Sequence, residues 1–338
     1  MIHSPFPERL GPARRGRGPV CGCIAGGVIA AWLLCGGCDT AQPPAGPAGQ
    51  TPSAAAVAAA STDRPAASGP AGQPVAGPAR DRPEIALDLG DGVLLWCSYI
   101  PAGQFVMGSP EDEPGRTPFE GPQRVVTVER GFYLAKHETT QEQFLAVTGR
   151  NPSHFHSPPR GGPQHPVEQV TWFDAQEFAR RLSQRTGRKV RLPTEAEWEY
   201  ACRAGSTTHY HFGQTISSHL ANFDGDMQTY DGMRPSGTPG PGPFRRGTTP
   251  VGSFPPNQWG LHDMHANVWE WVEDAFLPDY PAGPTTARAI GGGPDAPRVV
   301  RGGGWFDYGW VCRSAVRLSH SPQHRSYNVG FRIAMDAD

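Results

Sequence analysis

The chain joins two compositions end to end, and that seam constrains its fold more than any single motif. Residues 1–83 are mostly Ala, Gly, Pro, Ser and Arg, whereas the 255 residues from Glu84 to Asp338 hold every Tyr and eight of the nine Trp. Residues 39–83 have almost no apolar bulk, and such a segment cannot bury enough surface to offset the entropy of ordering it. Only the second part is large and apolar enough to build a core, so we expect one ordered domain over 84–338. The formal charge is −2 and no basic patch stands out, which argues against nucleic acid as a partner. A membrane-spanning bundle is excluded in the same way, because no second long apolar run follows the first.

The N-terminus reads as an address. Arg9, Arg14, Arg15 and Arg17 precede an apolar stretch from Cys21 to Leu34. That stretch has signal-peptide length and is too short to span a bilayer comfortably. It ends in Leu33-Leu34-Cys35-Gly36-Gly37-Cys38. Small residues before a Cys, directly after an apolar run, resemble a bacterial lipobox, with Cys35 departing from the usual aliphatic residue. Residues 1–37 are therefore expected to be a signal peptide and Cys38 a lipidated N-terminus. An ordinary secretory signal and an uncleaved anchor are the other readings. Acyl chains on Cys38 would hold the protein to a membrane, since each buried CH₂ contributes about 0.8 kcal/mol. Residues 39–83 contain nine Pro and read as a disordered tether. The expected location is exported and membrane-anchored, periplasmic or on the cell surface.

The remainder reads as mixed α and β with long loops. Ile85 to Phe105 carries short apolar runs broken by turns, as strands and hairpins do. Gln123 to Tyr133 alternates and reads as another strand pair. Thr139-Thr140-Gln141-Glu142 is a capping-box signature before a short helix ending at Thr148. Thr171 precedes a helix over Trp172–Thr186, in which Ala175, Phe178, Ala179 and Leu182 form one apolar face that Gly187 ends. Thr194-Glu195-Ala196-Glu197 opens a third helix. Gly205 to Pro256 is long for a loop without structure of its own, so it is expected to carry ion sites or surface function. Short strands return from Arg298 to Ala334, with Val299 and Val300 in the core.

A set of motifs then recurs in a fixed order. Phe105-Val106-Met107-Gly108-Ser109 is followed by Lys136-His137-Glu138-Thr139-Thr140 and His165-Pro166-Val167. Next come Arg191 to Ala201 (RLPTEAEWEYA), Trp259 to Met264 (WGLHDM) and Asn267 to Trp271 (NVWEW). Val300 to Trp305 (VRGGGW) and Gly330-Phe331-Arg332 complete the series. Together they resemble the formylglycine-generating enzyme family, also called sulfatase-modifying factors, over about residues 85–336. The resemblance implies an α+β, C-type-lectin-like fold with little regular secondary structure. It also implies the family's founding activity, the oxidation of a Cys within Cys-x-Pro-x-Arg by O₂ and copper(I). Two thiolates hold that soft metal.

Here the thiolate pair is not legible. Gly304 stands where the enzymes have Ser, and Asp307 falls on the first Cys position. Counted without gaps, the second position is Cys312. Cys312-Arg313-Ser314-Ala315 also resembles a later structural element of the family, reached after a shortened segment. That second alignment implies a disulfide between Cys202 and Cys312, with Cys97 left as a lone buried thiol. Neither alignment leaves two thiolates, so copper is not expected. Calcium is. The family holds it at positions matching the Asp263 and Glu270 side chains and the Ala266 and Val268 carbonyls, a hard oxygen set. Alternatively, Asp263 caps a turn and Glu270 pairs with an arginine. A second site would use Asn222 and the Phe223 carbonyl, with Asp231. His137, His165 and His265 read as hydrogen-bonded framework.

The C-terminal segment has the makings of a binding surface. Phe306, Asp307, Tyr308, Trp310, His320, His324 and Tyr327 mix aromatic, acidic and imidazole groups with Gly and Ser, and Trp305 beside them reads as core. The expected function is a tethered binding or accessory domain for an unidentified protein or small-molecule ligand. One alternative is a formylglycine-generating or other oxidoreductase acting on an exported protein or small molecule. Another is a surface lipoprotein whose final segment is diversified by a retroelement. Most of its variable positions are reachable from Asn codons by changing adenines, although Trp310 is not.

Overall fold

A computed structural model describes residues 84–225, 242–283 and 285–337, all within one compact unit, residues 68–338. The signal peptide, Cys38, the tether and Asp231 lie outside the described residues. Strands β1 (Ile85–Asp88), β2 (Leu94–Ile100) and β3 (Gly103–Met107) follow one another in the first apolar stretch. The expected pair over Gln123 to Tyr133 does form two strands, β4 (Arg124–Val128) and β5 (Phe132–Ala135), but they do not pair with each other. β4 runs antiparallel to β3 and β5 antiparallel to β2. Alternation fixed the strand conformation, while the partner was decided by which sheet could bury each apolar face.

Helix α1 (Gln141–Thr148) starts one residue later than the capping signature implied. Thr140 is the cap and its hydroxyl accepts from Gln143 N. Gln143 therefore closes the box in place of Glu142. α2 (Trp172–Thr186) begins at the Thr171 cap and stops at Gly187, and its buried residues are Ala175, Phe178, Ala179 and Leu182. After β6 (Val190–Arg191), α3 (Glu195–Arg203) is capped by Thr194, with Glu197 reaching back to the cap. Every residue of α3 is buried.

The C-terminal half adds β7 (Trp269–Ala275), β8 (Thr285–Thr286), β9 (Arg298–Arg301), β10 (Arg317–His320), β11 (Val329–Phe331) and β12 (Ala334–Asp336). Three sheets result: β1-β2-β5-β12-β6, β10-β9-β7-β11 and β3-β4-β8. This is the α+β, C-type-lectin-like arrangement the motif series implied. The main core joins the five-stranded sheet, helices α1 and α2 and strands β7, β9 and β11 of the four-stranded sheet, with Phe144, Phe178 and Phe331 packed ring to ring. Val299 and Val300 are fully buried, as expected. Between Gly205 and Pro256 the described residues contain no helix or strand.

Buried ion pairs tie these parts together. Arg317 grips Glu195 with two nitrogens, each at 2.7 Å. Arg301 pairs with Glu199, and Arg313 with Glu113 and Glu120. None of these side chains is more than a few per cent exposed. Ions taken out of water are tolerated only when paired and hydrogen-bonded, and here each arginine also donates to backbone carbonyls.

Candidate ligand-binding site

Gly302 and Gly303 both adopt positive φ, +98° and +86°. At Gly303 a Cβ would stand 2.6 Å from the Cys312 sulfur, so only glycine lets the chain pass there. Beyond this turn the backbone presents Trp305, Phe306 and Asp307. Trp305 N donates to the Asn267 carbonyl at 2.8 Å, which fixes the turn against the segment entering β7.

Asp307 is half-buried. Its Oδ2 accepts from Trp269 Nε1 at 2.7 Å and from Gly304 N, three residues earlier in the chain, at 2.8 Å. Burial raises its carboxyl to about 6, against the pull of those two donors. No Lys or Arg pairs with it among the described residues. Cys312 lies close enough for Asp307 to raise its thiol further, on top of burial. This turn thus carries a carboxylate with one buried thiol nearby.

Beside Asp307 the rings gather. Trp305, Phe306 and Tyr327 touch pairwise, with centroids 5.0, 5.7 and 5.5 Å apart. Phe155 packs edge-on to Trp305 at 5.4 Å. On another side Phe244 stacks on Trp305 at 5.9 Å, with the Arg246 guanidinium 5.5 Å from the Phe244 centroid. Tyr327 is 41% exposed, while Trp305 keeps only 8%. Trp305 is therefore both core and the back wall of the surface.

The other expected ligand residues stand apart. Tyr308 and Trp310 stack on each other at 5.4 Å. His320 and His324 stack at 4.2 Å beside the edge of Trp271. The sequence reading missed Phe155, Phe244, Arg246 and Glu168. Glu168 immediately follows the His165-Pro166-Val167 motif, and that adjacency was the one available signal. Its side chain is fully buried, Oε1 accepts from Phe155 N at 2.7 Å, and Oε2 has no hydrogen-bond partner. Burial pushes this carboxyl up to about 7.

The expected disulfide is not formed. Cys202 and Cys312 are separate buried thiols, as is Cys97. The Cys202 sulfur faces His265 Nε2 and Ser314 Oγ, both at 3.7 Å. The Cys312 sulfur instead faces the Tyr308 carbonyl at 3.5 Å. His265 sits between the two segments, its Nδ1 2.8 Å from the Cys312 carbonyl. Each sulfur therefore has its own partners. Burial pushes the Cys202 and Cys97 thiols up to about 12.

The segment matched to calcium is tightly bent. Asp263, Ala266 and Asn267 all have positive φ, at +56°, +79° and +73°. Asp263 Oδ2 accepts from Gly252 N at 2.7 Å, whereas its Oδ1 is buried without a partner. Burial raises this carboxyl to about 6. Burial, together with Asp263 and Glu270, raises Glu138 well above the carboxylate range. Glu270 is engaged: Arg332 donates to both its oxygens at 2.7 Å and Trp198 Nε1 to one at 2.8 Å. Three buried carboxylates thus lie near one guanidinium. Asn222 Oδ1 is likewise buried without a partner, and the Asn222 carbonyl accepts from Asn267 N. Phe223 is buried against Gly309. Among the described residues no three His, Cys, Asp or Glu side chains gather to hold a metal. The orphaned Asp263 oxygen and the carboxylate excess fit a hard cation bound mostly by carbonyls. Glu270 could join only by sharing with Arg332. His165 is hydrogen-bonded to Thr248, and the His137 ring lies tilted against His262 with centroids 4.8 Å apart.

Residues 97–337 match the family described as the Sulfatase-modifying factor enzyme 1-like domain. The chain belongs to this family. It is 39% identical over 194 residues to the formylglycine-generating enzyme of Streptomyces coelicolor, covering 56% of this chain and 58% of that one. The chain thus spans little more than half the length of that relative. Among solved structures it resembles PvdO from Pseudomonas aeruginosa, with a TM-score of 0.62, 30% identity, and coverage of 76% of this chain and all of that one. It also resembles the Treponema denticola variable protein 1, with a TM-score of 0.62 at 23% identity over 75% and 99% of the two chains. That second likeness is one of fold. Among the described residues no helix is long and apolar enough to cross a membrane.

Proposed function

We propose that this sulfatase-modifying-factor domain binds a ligand or partner at the surface around Asp307 and does not generate formylglycine. The observation that carries the reading is Asp307 itself. A two-coordinate copper(I) site needs two soft thiolates. A carboxylate held by Trp269 and Gly304 supplies a hard oxygen instead, and the neighbouring Cys312 thiol is kept protonated by burial. The rings of Trp305, Phe306 and Tyr327 make that position an adaptable contact surface.

The N-terminal sequence supports export and a lipid anchor at Cys38, with residues 39–83 as tether, so the domain would work at a membrane face. Calcium would be held by Asp263 Oδ1 and the Ala266 and Val268 carbonyls, with Glu270 sharing. Asn222 and Phe223 would serve a second ion. Either ion would staple loops behind the β7 entry, leaving the surface chemistry to the chain. The identity to a formylglycine-generating enzyme favours one second reading, an oxidase. A copper(I) titration of the full-length chain separates the two. We expect no stoichiometric tight binding. One equivalent bound through sulfur would overturn the binding reading.

A further inference from the structure

Asp307 is a half-buried carboxylate with no cationic partner among the described residues, set beside three mutually packed rings. Its Oδ2 is committed to Trp269 and Gly304, and two neutral donors leave the charge itself unbalanced. A second carboxylate stands behind the rings: Glu168 is fully buried, anchored to Phe155 N, with Oε2 unpartnered. Phe155 in turn packs on Trp305 and Tyr327, at 5.4 and 6.3 Å. The site thus combines aromatic faces with the Asp307 carboxylate, which no protein cation balances among the described residues. Aromatic faces attract cations through their quadrupole, and more strongly once the cation is desolvated.

The chain already uses this affinity once, at its rim. Arg246 is exposed and lays its guanidinium on Phe244, the outermost ring of the stack on Trp305. On the Tyr327 side, 41% of the tyrosine is open, and no protein cation covers the rings there among the described contacts. Phe306 and Asp307, consecutive in the chain, are both partly exposed.

We propose that Trp305, Phe306, Tyr327 and Asp307 form a subsite for the ammonium group of a small organic ligand. This rests on the binding reading above and names the ligand's chemical class. The ring faces take the alkyl shell of the cation, and the Asp307 carboxylate balances its charge.

The test uses the full-length chain and follows the indole N–H resonances of Trp269 and Trp305 during titration with tetramethylammonium. Tert-butanol, similar in size but neutral, is the comparison. The expected result is saturable shifts with tetramethylammonium and none with tert-butanol. Asp307→Asn should weaken binding by about tenfold, and Tyr327→Leu similarly, as expected for a cation–π contact of this kind. Tyr327 is exposed enough that its replacement leaves the core intact, which covers the case of a misfolded Asp307 variant. Equal shifts from the neutral probe would overturn the ammonium assignment and leave the binding reading standing. No shift from either probe would overturn the assignment too. Copper binding through sulfur, by contrast, removes the binding reading itself.

Discussion

Ala266 occupies a conformation that suits glycine, with φ at +79°. A Cβ in the left-handed region costs roughly 1 kcal/mol. Ala266→Gly is therefore expected to raise the stability of the domain by about that amount, read as a higher urea midpoint. A lower midpoint would mean that the buried Ala266 methyl group packs better than the backbone is strained. Glu168 gives a prediction with a pH signature. Burial raises its carboxyl from 4.5 in the unfolded chain to about 7. Between those values the unfolded chain releases a proton that the folded chain keeps, so this group costs stability as pH rises from 4.5 to 7. The full cost, at most about 3 kcal/mol, is present above pH 7. Glu168→Gln removes the charge and keeps the Oε1 acceptor for Phe155 N. Its stability relative to wild type should rise between pH 4 and pH 8 in denaturant titrations. A pH-independent difference would place the shift elsewhere. Neither residue's environment was readable locally. At Ala266 nothing in the neighbouring sequence announces a positive φ, and the fold supplied that sign. Glu168 became buried because the loop carrying Phe155 closed over it.

Elements whose signals lie within one turn of chain were legible in the sequence. α2 has the bounds that its Thr171 cap, apolar face and Gly187 stop prescribe. The capping box of α1 slipped by one residue because Thr139 and Thr140 offer equivalent hydroxyls, and Gln143 serves as well as Glu142. Strand partners were not legible, since β4 and β5 lie three residues apart in one segment read as a pair yet belong to different sheets. The ion pairs that join elements were equally hidden, with Arg313 meeting Glu113 and Glu120 across some two hundred residues of sequence. These long-range pairs are expected to dominate the cost of charge deletion. Arg313→Ala leaves two buried carboxylates unpaired and should cost about 3–5 kcal/mol. Lys189→Ala, at the exposed pair with Asp336, should change nothing measurable. Equal losses in calorimetry would show that burial does not set the difference.

At the scale of the molecule, the ordered motif series from Phe105 to Arg332 made the family legible. The aromatic surface was only half legible: Phe306 and Tyr327 meet, whereas Tyr308 stacks on Trp310 and His320 on His324. Phe155 and Phe244 joined it from loops with no periodic pattern to announce them. The acidic surroundings of Asp263 give a prediction for the folded domain as a whole. Calcium at a hundredfold excess over its dissociation constant should stabilise the domain by about 2.7 kcal/mol, seen as a higher thermal midpoint that Asp263→Asn largely abolishes. An identical midpoint in calcium and in chelator would remove the ion from the account. The central claim is that this member of the family binds where its relatives oxidise. It is tested most directly by oxygen uptake of the full-length chain, supplied with copper(I) and a peptide containing Cys-x-Pro-x-Arg. The account predicts no uptake above the peptide-and-copper blank and no aldehyde in the peptide. Stoichiometric uptake with formylglycine formed would contradict it.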